Sequence, residues 1–293
     1  MPKDLLDIEW SYKSLIREIL AEGLKKETRN GATISLFGKT LAFDTSKTFP
    51  LIRSRKMFYK PVIGELAAML KGPKHINDFK QYGCNYWDAW GAEKEGCLYD
   101  EEQAKGGELN LDYGNAWLDF NGYNQLKELI NTLQTNPNNR RMIISAWRPD
   151  RLDELSLPCC HLLYQWYTRT EIVNEKEVTF LDMIWYQRSV DTMVGLPSDI
   201  ILAAAWNIIL ANQCGFTSGN ITMILGDTHI YENHLPQVDI FLNTTLSDYP
   251  NLRFPDAPSY SIDKDATVFN FKPEMLNINN YISGPVIKFE LNV

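Results

Sequence analysis

The stretch Tyr186-Gln187-Arg188-Ser189-Val190-Asp191, followed by Gly195-Leu196-Pro197-Ser198-Asp199 and an almost unbroken apolar run to Cys214, organises this chain. Residues 178–189 are rich in β-branched and aromatic side chains and read as a strand, as do residues 221–231. Between them, 198–214 reads as a helix, with Pro197 before it and Gly215 after it. A helix this apolar belongs in the centre of a core. Asp199 in its first turn is conspicuous and has two readings. It is either a cap that accepts backbone N–H bonds and suits the macrodipole, or a functional carboxylate.

Outward from this centre the pattern is mixed α and β. Leu15, Ile16, Ile19 and Leu20 recur at helical spacing and predict a helix over 11–26; Val62, Ile63, Leu66, Met69 and Leu70 predict another over 58–71. Residues 33–43 alternate around Ile34, Leu36, Leu41 and Phe43 as strands, with a turn expected at Gly38. A helix near 123–135 ends at Asn136-Pro137, and 140–147 and 160–169 read as further strands. With no repeat, low-complexity tract or Gly/Ser/Pro-rich linker, a single α+β domain over 1–293 is expected.

The 293 residues are 44% hydrophobic and 23% charged, enough for a sizeable core. A net charge of −8 and a pI near 5.1 disfavour a nucleic-acid-binding surface, so an anionic ligand would be small and held in a basic pocket. Five cysteines, Cys84, Cys97, Cys159, Cys160 and Cys214, form no C-x-x-C pair, and four histidines have no metal-binding spacing. Reduced thiols and no metal are expected. The polar N-terminus lacks an apolar signal core, which predicts a cytoplasmic protein without a membrane partner.

Several residues could carry chemistry. Cys160 lies in Pro158-Cys159-Cys160-His161; a thiol attacks only as thiolate and needs positive charge nearby, whereas an inert buried cysteine is the plainer reading. Arg29, the pair Arg140-Arg141, and Arg188 beside Ser189 could converge on one phosphate or serve as surface ion pairs. Trp87 and Trp90 could stack on a planar heterocycle or plug the core. His229 and Tyr231 alternate at a strand end and would point to one side, where they could hydrogen-bond a sugar.

Four long motifs in one order give these residues a context: Ser156-Leu157-Pro158-Cys159-Cys160-His161, Tyr186-Gln187-Arg188-Ser189-Val190-Asp191, Gly195-Leu196-Pro197, and Gly226-Asp227-Thr228-His229-Ile230-Tyr231-Glu232-Asn233-His234. Together they resemble the thymidylate synthase superfamily, which includes the deoxycytidylate and cytidylate hydroxymethylases. The resemblance runs from about residue 11 to the C-terminus. It implies a mixed β-sheet packed with helices, one sheet face of which forms a homodimer.

By this resemblance Cys160, with His161 beside it, adds to carbon 6 of a pyrimidine nucleoside monophosphate, and carbon 5 attacks the one-carbon unit of 5,10-methylenetetrahydrofolate. Arg188 binds phosphate and favours the thiolate; Arg29 and Ser189 join it, with Arg140 and Arg141 supplied across the dimer. Glu65 handles proton transfer, Tyr113 lies near carbon 5, and Gln165 lies below the ring. Asp191, His229 and Tyr231 contact the nucleotide. Trp87, Trp90, Asp191, Gly195, Ser198 and the terminal Val293 form the folate pocket.

The departures from the family pattern are as informative. Synthases usually have asparagine at Asp199, which reads uracil; an aspartate can accept from the amine of cytosine, with one shared proton completing a second bond. An ionised Asp199 would oppose the carbonyl of uracil. Arg148, in Trp147-Arg148-Pro149, resembles the hydroxymethylase version, whereas Cys159, Ser198, Phe58 and Asn292 depart from common synthase residues. Ser198 and Asn292 make the expected folate side more polar, which favours water over hydride at the final step. The expected activity is therefore CMP or dCMP 5-hydroxymethyl transfer, with cytidylate methylation, deoxyuridylate methylation, and plain nucleotide or RNA binding as alternatives.

Overall fold

The structure is a computed structural model that describes residues 8–90, 106–244 and 258–292. Cys97 and Val293 lie outside the described residues. Among the described residues, eight strands and five longer helices follow one another as α1 (Ile8–Glu22), β1 (Leu24–Thr28), β2 (Gly31–Asp44), α2 (Tyr59–Met69), α3 (Gln125–Thr135), β3 (Ile143–Ser145), β4 (His161–Val173), β5 (Lys176–Asp191), α4 (Gly195–Cys214), β6 (Thr217–Tyr231), α5 (Leu235–Asn243), β7 (Ser259–Ile262) and β8 (Leu276–Asn279). β1 to β6 form one mixed sheet in the order β1-β2-β6-β5-β4-β3, and β7 pairs with β8. All neighbours in the large sheet are antiparallel except β5 and β6. That parallel pair follows from the chain: the crossover α4 returns β6 in the direction of β5.

α4 is buried on all sides, which is why its sequence shows no polar stripe. It is long and apolar enough to cross a bilayer, yet 78% of its most apolar window is buried inside the fold. At its middle Asn207 is fully buried and fully employed. It donates to the Leu181 carbonyl and Ser218 Oγ, both at 2.9 Å, and accepts from Trp166 Nε1 at 3.1 Å. One side chain thus ties α4 to β4, β5 and β6. Around it Trp206 stacks on Trp117 at 4.1 Å between ring centroids and meets Trp166 and Tyr164 edge-on.

A row of irregularities crosses the sheet. In β5 the core-facing residues run Met183, Trp185 and then Val190; in β6 they run Met223, Leu225 and then Ile230. β2 shows Phe43 and Leu41 in the core, then Leu36 and Ile34 packed against it beyond Gly38. Each step from one set to the next is an odd number of residues, so the in–out alternation reverses at Arg188, Gly226 and Gly38. A Cβ at Gly226 would lie 2.4 Å from the Arg188 carbonyl oxygen, and Gly38 has φ +77°, so glycine is required at both positions. β4 has its own register shift between His161 and Leu163.

Several sequence expectations are corrected. The first helix stops at Glu22 rather than 26: Gly23 donates back to Ile19 as a helix terminator, and 24–28 form β1. Gly38 is no turn but the kink within the continuous strand β2. The strand expected over 140–147 is only Ile143–Ser145. α4 starts at Gly195, not 198, so Asp199 falls beyond the first turn and caps nothing. Asp191 instead pins the turn that leads into α4, its Oδ1 accepting from the Met193 and Val194 N–H groups at 2.8 and 3.2 Å.

Candidate active site

Cys160 sits at the entrance to β4, on the row where the sheet kinks. The Arg188 backbone N–H donates to the Cys160 carbonyl at 2.8 Å, while its guanidinium donates to the carbonyls of Cys159 and Pro158 at 2.7 and 2.9 Å. These bonds bring Arg188 Nη2 to 3.9 Å from Cys160 Sγ. The Cys160 N–H donates to the Tyr113 hydroxyl, completing the cradle. Burial pushes the thiol up, Arg188 and Tyr113 pull it down, and burial wins. The resting sulfur is therefore protonated at neutral pH, and the guanidinium offers charge to a thiolate as it forms.

Two partly buried carboxyls face this region. Burial pushes Asp199 up to about 8, against a hydrogen bond from Gln187 Nε2 to its Oδ2 at 2.7 Å and with a further upward push from Glu65 and Asp191. Glu65, on α2, is pushed up to about 7 by burial, opposed by a 2.8 Å bond from Trp87 Nε1 to Oε1. Both groups exchange protons near neutrality, the condition for general acid–base work. Trp87 is itself buried, stacked on Phe79 at 5.2 Å and tilted against Trp90 at 5.3 Å. It plugs the core, one of the two readings given above, and in addition brackets Glu65.

On the far side of the kink the reversed alternation turns Ser189, Asp227, His229 and Tyr231 away from the core. They line a cavity of about 240 Å³ with Thr33 and with Thr28, Arg29 and Asn30 of the β1–β2 hairpin. Cation, hydroxyls and imidazole line one wall set, suited to a phosphate and a sugar. Asp227, which carried no sequence-based role, orients His229 through a 3.0 Å contact to Nδ1 and leaves Nε2 for a ligand. The His229 bond is the largest cause of the lowered Asp227 pKa. No group of three or more potential metal ligands occurs among the described residues.

The thymidylate synthase family model matches residues 10–293. The chain belongs to the thymidylate synthase family. A thymidylate synthase of Enterobacteria phage T4 is 34% identical over 96% of this chain and 99% of its own length. A thymidylate synthase of Mycoplasma mobile is 36% identical over 96% of this chain and 99% of its own length. Members are one-carbon transferases that bind a nucleotide and methylenetetrahydrofolate, and the mixed sheet packed with helices is the fold of this family.

Within this thymidylate synthase-type frame, not every expected residue joins the cluster. Gln165 is paired with Ile143 and Ile184, whose side chains are exposed, and so lies on the outer face of the sheet. The glutamine in the cluster is Gln187, which stands inside the Tyr186-Gln187-Arg188-Ser189 motif and was overlooked there. His161 is buried, its ring tilted against Tyr113 at 4.5 Å and against Trp185 at 4.4 Å, and burial lowers it to about 3. A ring held neutral in this way positions its neighbours and takes up no second proton at physiological pH.

Arg140 and Arg141 are exposed beside β3, at the sheet edge opposite to the Arg29 cavity. Arg148 turns back on Asp150 through bonds of 3.0 and 2.7 Å, so its guanidinium takes no part in the base pocket. Asp191 and Gly195 flank the start of α4, and Ser198 Oγ donates to the Val194 carbonyl at 3.4 Å. A Cβ on Gly195 would touch Asp199 Oδ2 at 3.7 Å. The C-terminal tail is docked: the Glu290 carbonyl meets His234 Nε2 at 2.7 Å, and Asn292 Oδ1 accepts from Asn233 at 3.1 Å. Arg55 holds the same corner, donating to the Met193 carbonyl and lying 4.7 Å over the Phe289 ring.

Proposed function

We propose that this protein transfers a one-carbon unit to carbon 5 of CMP or dCMP, with 5,10-methylenetetrahydrofolate as co-substrate, and releases the 5-hydroxymethyl nucleotide. The observation that carries the base assignment is Asp199, a partly buried carboxyl where the family usually has a carboxamide. Held near pKa 8, it can donate one proton toward ring nitrogen 3 and accept from the exocyclic amine.

The chain's residues divide the work. Arg29 and Ser189 bind the phosphate with Arg188, and His229 and Tyr231 bind the ribose. Cys160 Sγ adds to carbon 6, which leaves an electron pair at carbon 5 to attack the one-carbon unit; Arg188 stabilises the thiolate that begins the step. Glu65 moves protons to and from the ring and the folate amine through ordered water, and Tyr113 lies at carbon 5. His161 and Gln187 position Cys160, Trp185 and Asp199. Trp87, Trp90, Asp191, Gly195, Ser198 and Val293 form the folate side, where the co-substrate supplies the one-carbon unit. Asp191 suits it because Oδ1 is spent on the turn before α4 and Oδ2 has no partner among the described residues.

Arg140 and Arg141 act across a homodimer. Exposed Ile143, Leu163, Tyr167, Ile184 and Ile224 give the outer sheet face an apolar surface that a second copy would cover. Water rather than hydride completes the reaction because Ser198 puts a hydroxyl on the folate wall. A second reading, transfer of a methyl group, is favoured by the tail, since Asn292 is spent on clamping Asn233 instead of admitting solvent.

The test incubates CMP, dCMP and dUMP separately with methylenetetrahydrofolate and identifies each product by mass. A 5-hydroxymethyl cytosine nucleotide is expected; a methylated cytosine nucleotide with release of dihydrofolate selects the second reading. Exclusive turnover of dUMP would sink the cytosine assignment, in line with the names of both relatives.

A further inference from the structure

Asp199 ends a buried chain of hydrogen bonds whose direction is dictated from the other end. The Trp185 indole N–H can only donate. It donates to Gln187 Oε1 at 3.2 Å, which fixes the orientation of the amide and aims Nε2 at Asp199. There Nε2 donates to Oδ2 at 2.7 Å. Trp185 is fully buried and Gln187 is 2% exposed, so no solvent competes for either group. The indole cannot swing away, being packed at 4.4 Å on His161 and at 4.9 Å on Tyr164.

This geometry makes the two oxygens of Asp199 unlike. Oδ2 is held as an acceptor, and because a hydroxyl oxygen accepts poorly, a proton on this carboxyl resides on Oδ1. Oδ1 has no hydrogen-bond donor among the described residues. The distinction matters for a base whose sugar and phosphate are anchored elsewhere, since one oxygen then faces ring nitrogen 3 and the other faces the substituent on carbon 4. Cytosine presents an acceptor at nitrogen 3 and a donor at carbon 4, whereas uracil presents the reverse. A carboxyl free to hold its proton on either oxygen satisfies both bases, but a polarised one satisfies a single pattern.

From this we infer that Gln187, oriented by Trp185, is a specificity-determining positioning residue: it polarises Asp199 and thereby makes the site choose between cytosine and uracil nucleotides. The inference rests on Asp199 being the base reader, as proposed above. It does not depend on which base wins. Discrimination therefore arises from the direction of a relay running through the core as well as from the presence of a carboxyl.

The experiment compares wild type with Gln187→Leu, Trp185→Phe, Asp199→Ala and the Asp199→Ala/Gln187→Leu double variant. For each, kcat/KM is measured for dCMP and dUMP with methylenetetrahydrofolate, and Kd for both nucleotides by calorimetry. The dCMP/dUMP ratio should move toward unity by about tenfold or more in Gln187→Leu and by about threefold in Trp185→Phe, where the amide regains freedom to turn. In the Asp199→Ala background Gln187→Leu should change the ratio by less than about twofold, because no carboxyl remains to polarise. A folded Gln187→Leu protein with the wild-type ratio overturns the inference, as does a full-sized effect that persists without Asp199. If Gln187→Leu does not fold, an unchanged ratio in Trp185→Phe overturns it instead. Wild-type turnover of dUMP alone would end the cytosine assignment, yet the compression of the ratio would still decide the relay.

Discussion

The two ends of the site are built on opposite electrostatic plans. The cavity around Arg29, Ser189 and His229 is open and charged, and its ion pairs, such as Lys26–Asp227 at 3.3 Å, have about half-exposed partners. The cluster of Glu65, Asp199 and Gln187 is largely withdrawn from solvent, and burial raises its acids to about 7 and about 8. Charges in water are screened and partly redundant, whereas buried polar groups each cost ~1–3 kcal/mol when mispaired. The first end should thus set affinity and answer to salt. The second should set chemistry and base choice and answer to pH.

The largest expected effect is at Cys160. Cys160→Ala should lower turnover by about 10⁴-fold or more while nucleotide Kd stays within a few-fold, because the chemistry and the phosphate contacts are separate. Single-turnover kinetics with calorimetry would check this, and a residual rate within about a hundredfold of wild type would remove Cys160 as nucleophile. Next is Glu65→Gln, expected to cost about 10²–10⁴ in kcat and to erase a limb near pH 7 from the wild-type pH profile. Persistence of that limb in the variant would assign it elsewhere, including to Asp199, with which Glu65 is coupled.

Asp199→Asn should shift base preference toward uracil by tenfold to several hundredfold, about 1–3 kcal/mol. It should also stabilise the fold. The folded pKa of about 8 lies above the usual 3.8, so the native state retains a proton that the unfolded chain has released. Stability from this group is complete below about pH 4 and is lost as the pH rises to about 8, which the asparagine avoids. The stability advantage of the variant, followed through Tm, should grow across that window by up to about 1.4 kcal/mol per pH unit. A pH-independent Tm difference would show that Asp199 is not held protonated.

The smallest effect is expected at Arg29. Arg29→Ala should raise nucleotide KM by about three- to thirtyfold, leave kcat nearly intact, and lose most of its penalty in high salt. A kcat defect there would blur the division between the two ends.

Much of the frame was legible beforehand. The apolar run to Cys214 led to a core helix, and the motifs around Cys160, Arg188 and His229 placed three parts of one site on three strands. What remained hidden depends on backbone geometry that leaves no periodic trace. Gln165 and Gln187 are both strand glutamines; only pairing shows that the first shares an outer face with Ile143 and Ile184 while the second meets Asp199. Likewise Asp199 looked like a cap because Pro197 resembles a helix start, yet helical turns begin two residues earlier at Gly195. Asp227 escaped notice because its partner, His229, already seemed to explain the motif.

The reversed alternation across Gly38, Gly226 and Arg188 also says how this sheet tolerates errors in its own gene. In an ordinary strand a one-residue deletion flips the faces only until the next loop absorbs it. Here the same loss at Gly38 would straighten β2 and draw the hairpin that carries Arg29 one residue along β6, setting the core-facing Leu36 opposite Asp227 of the cavity instead of the buried Thr228. Length changes should therefore survive in the distal β4–β5 hairpin and be purged from this row.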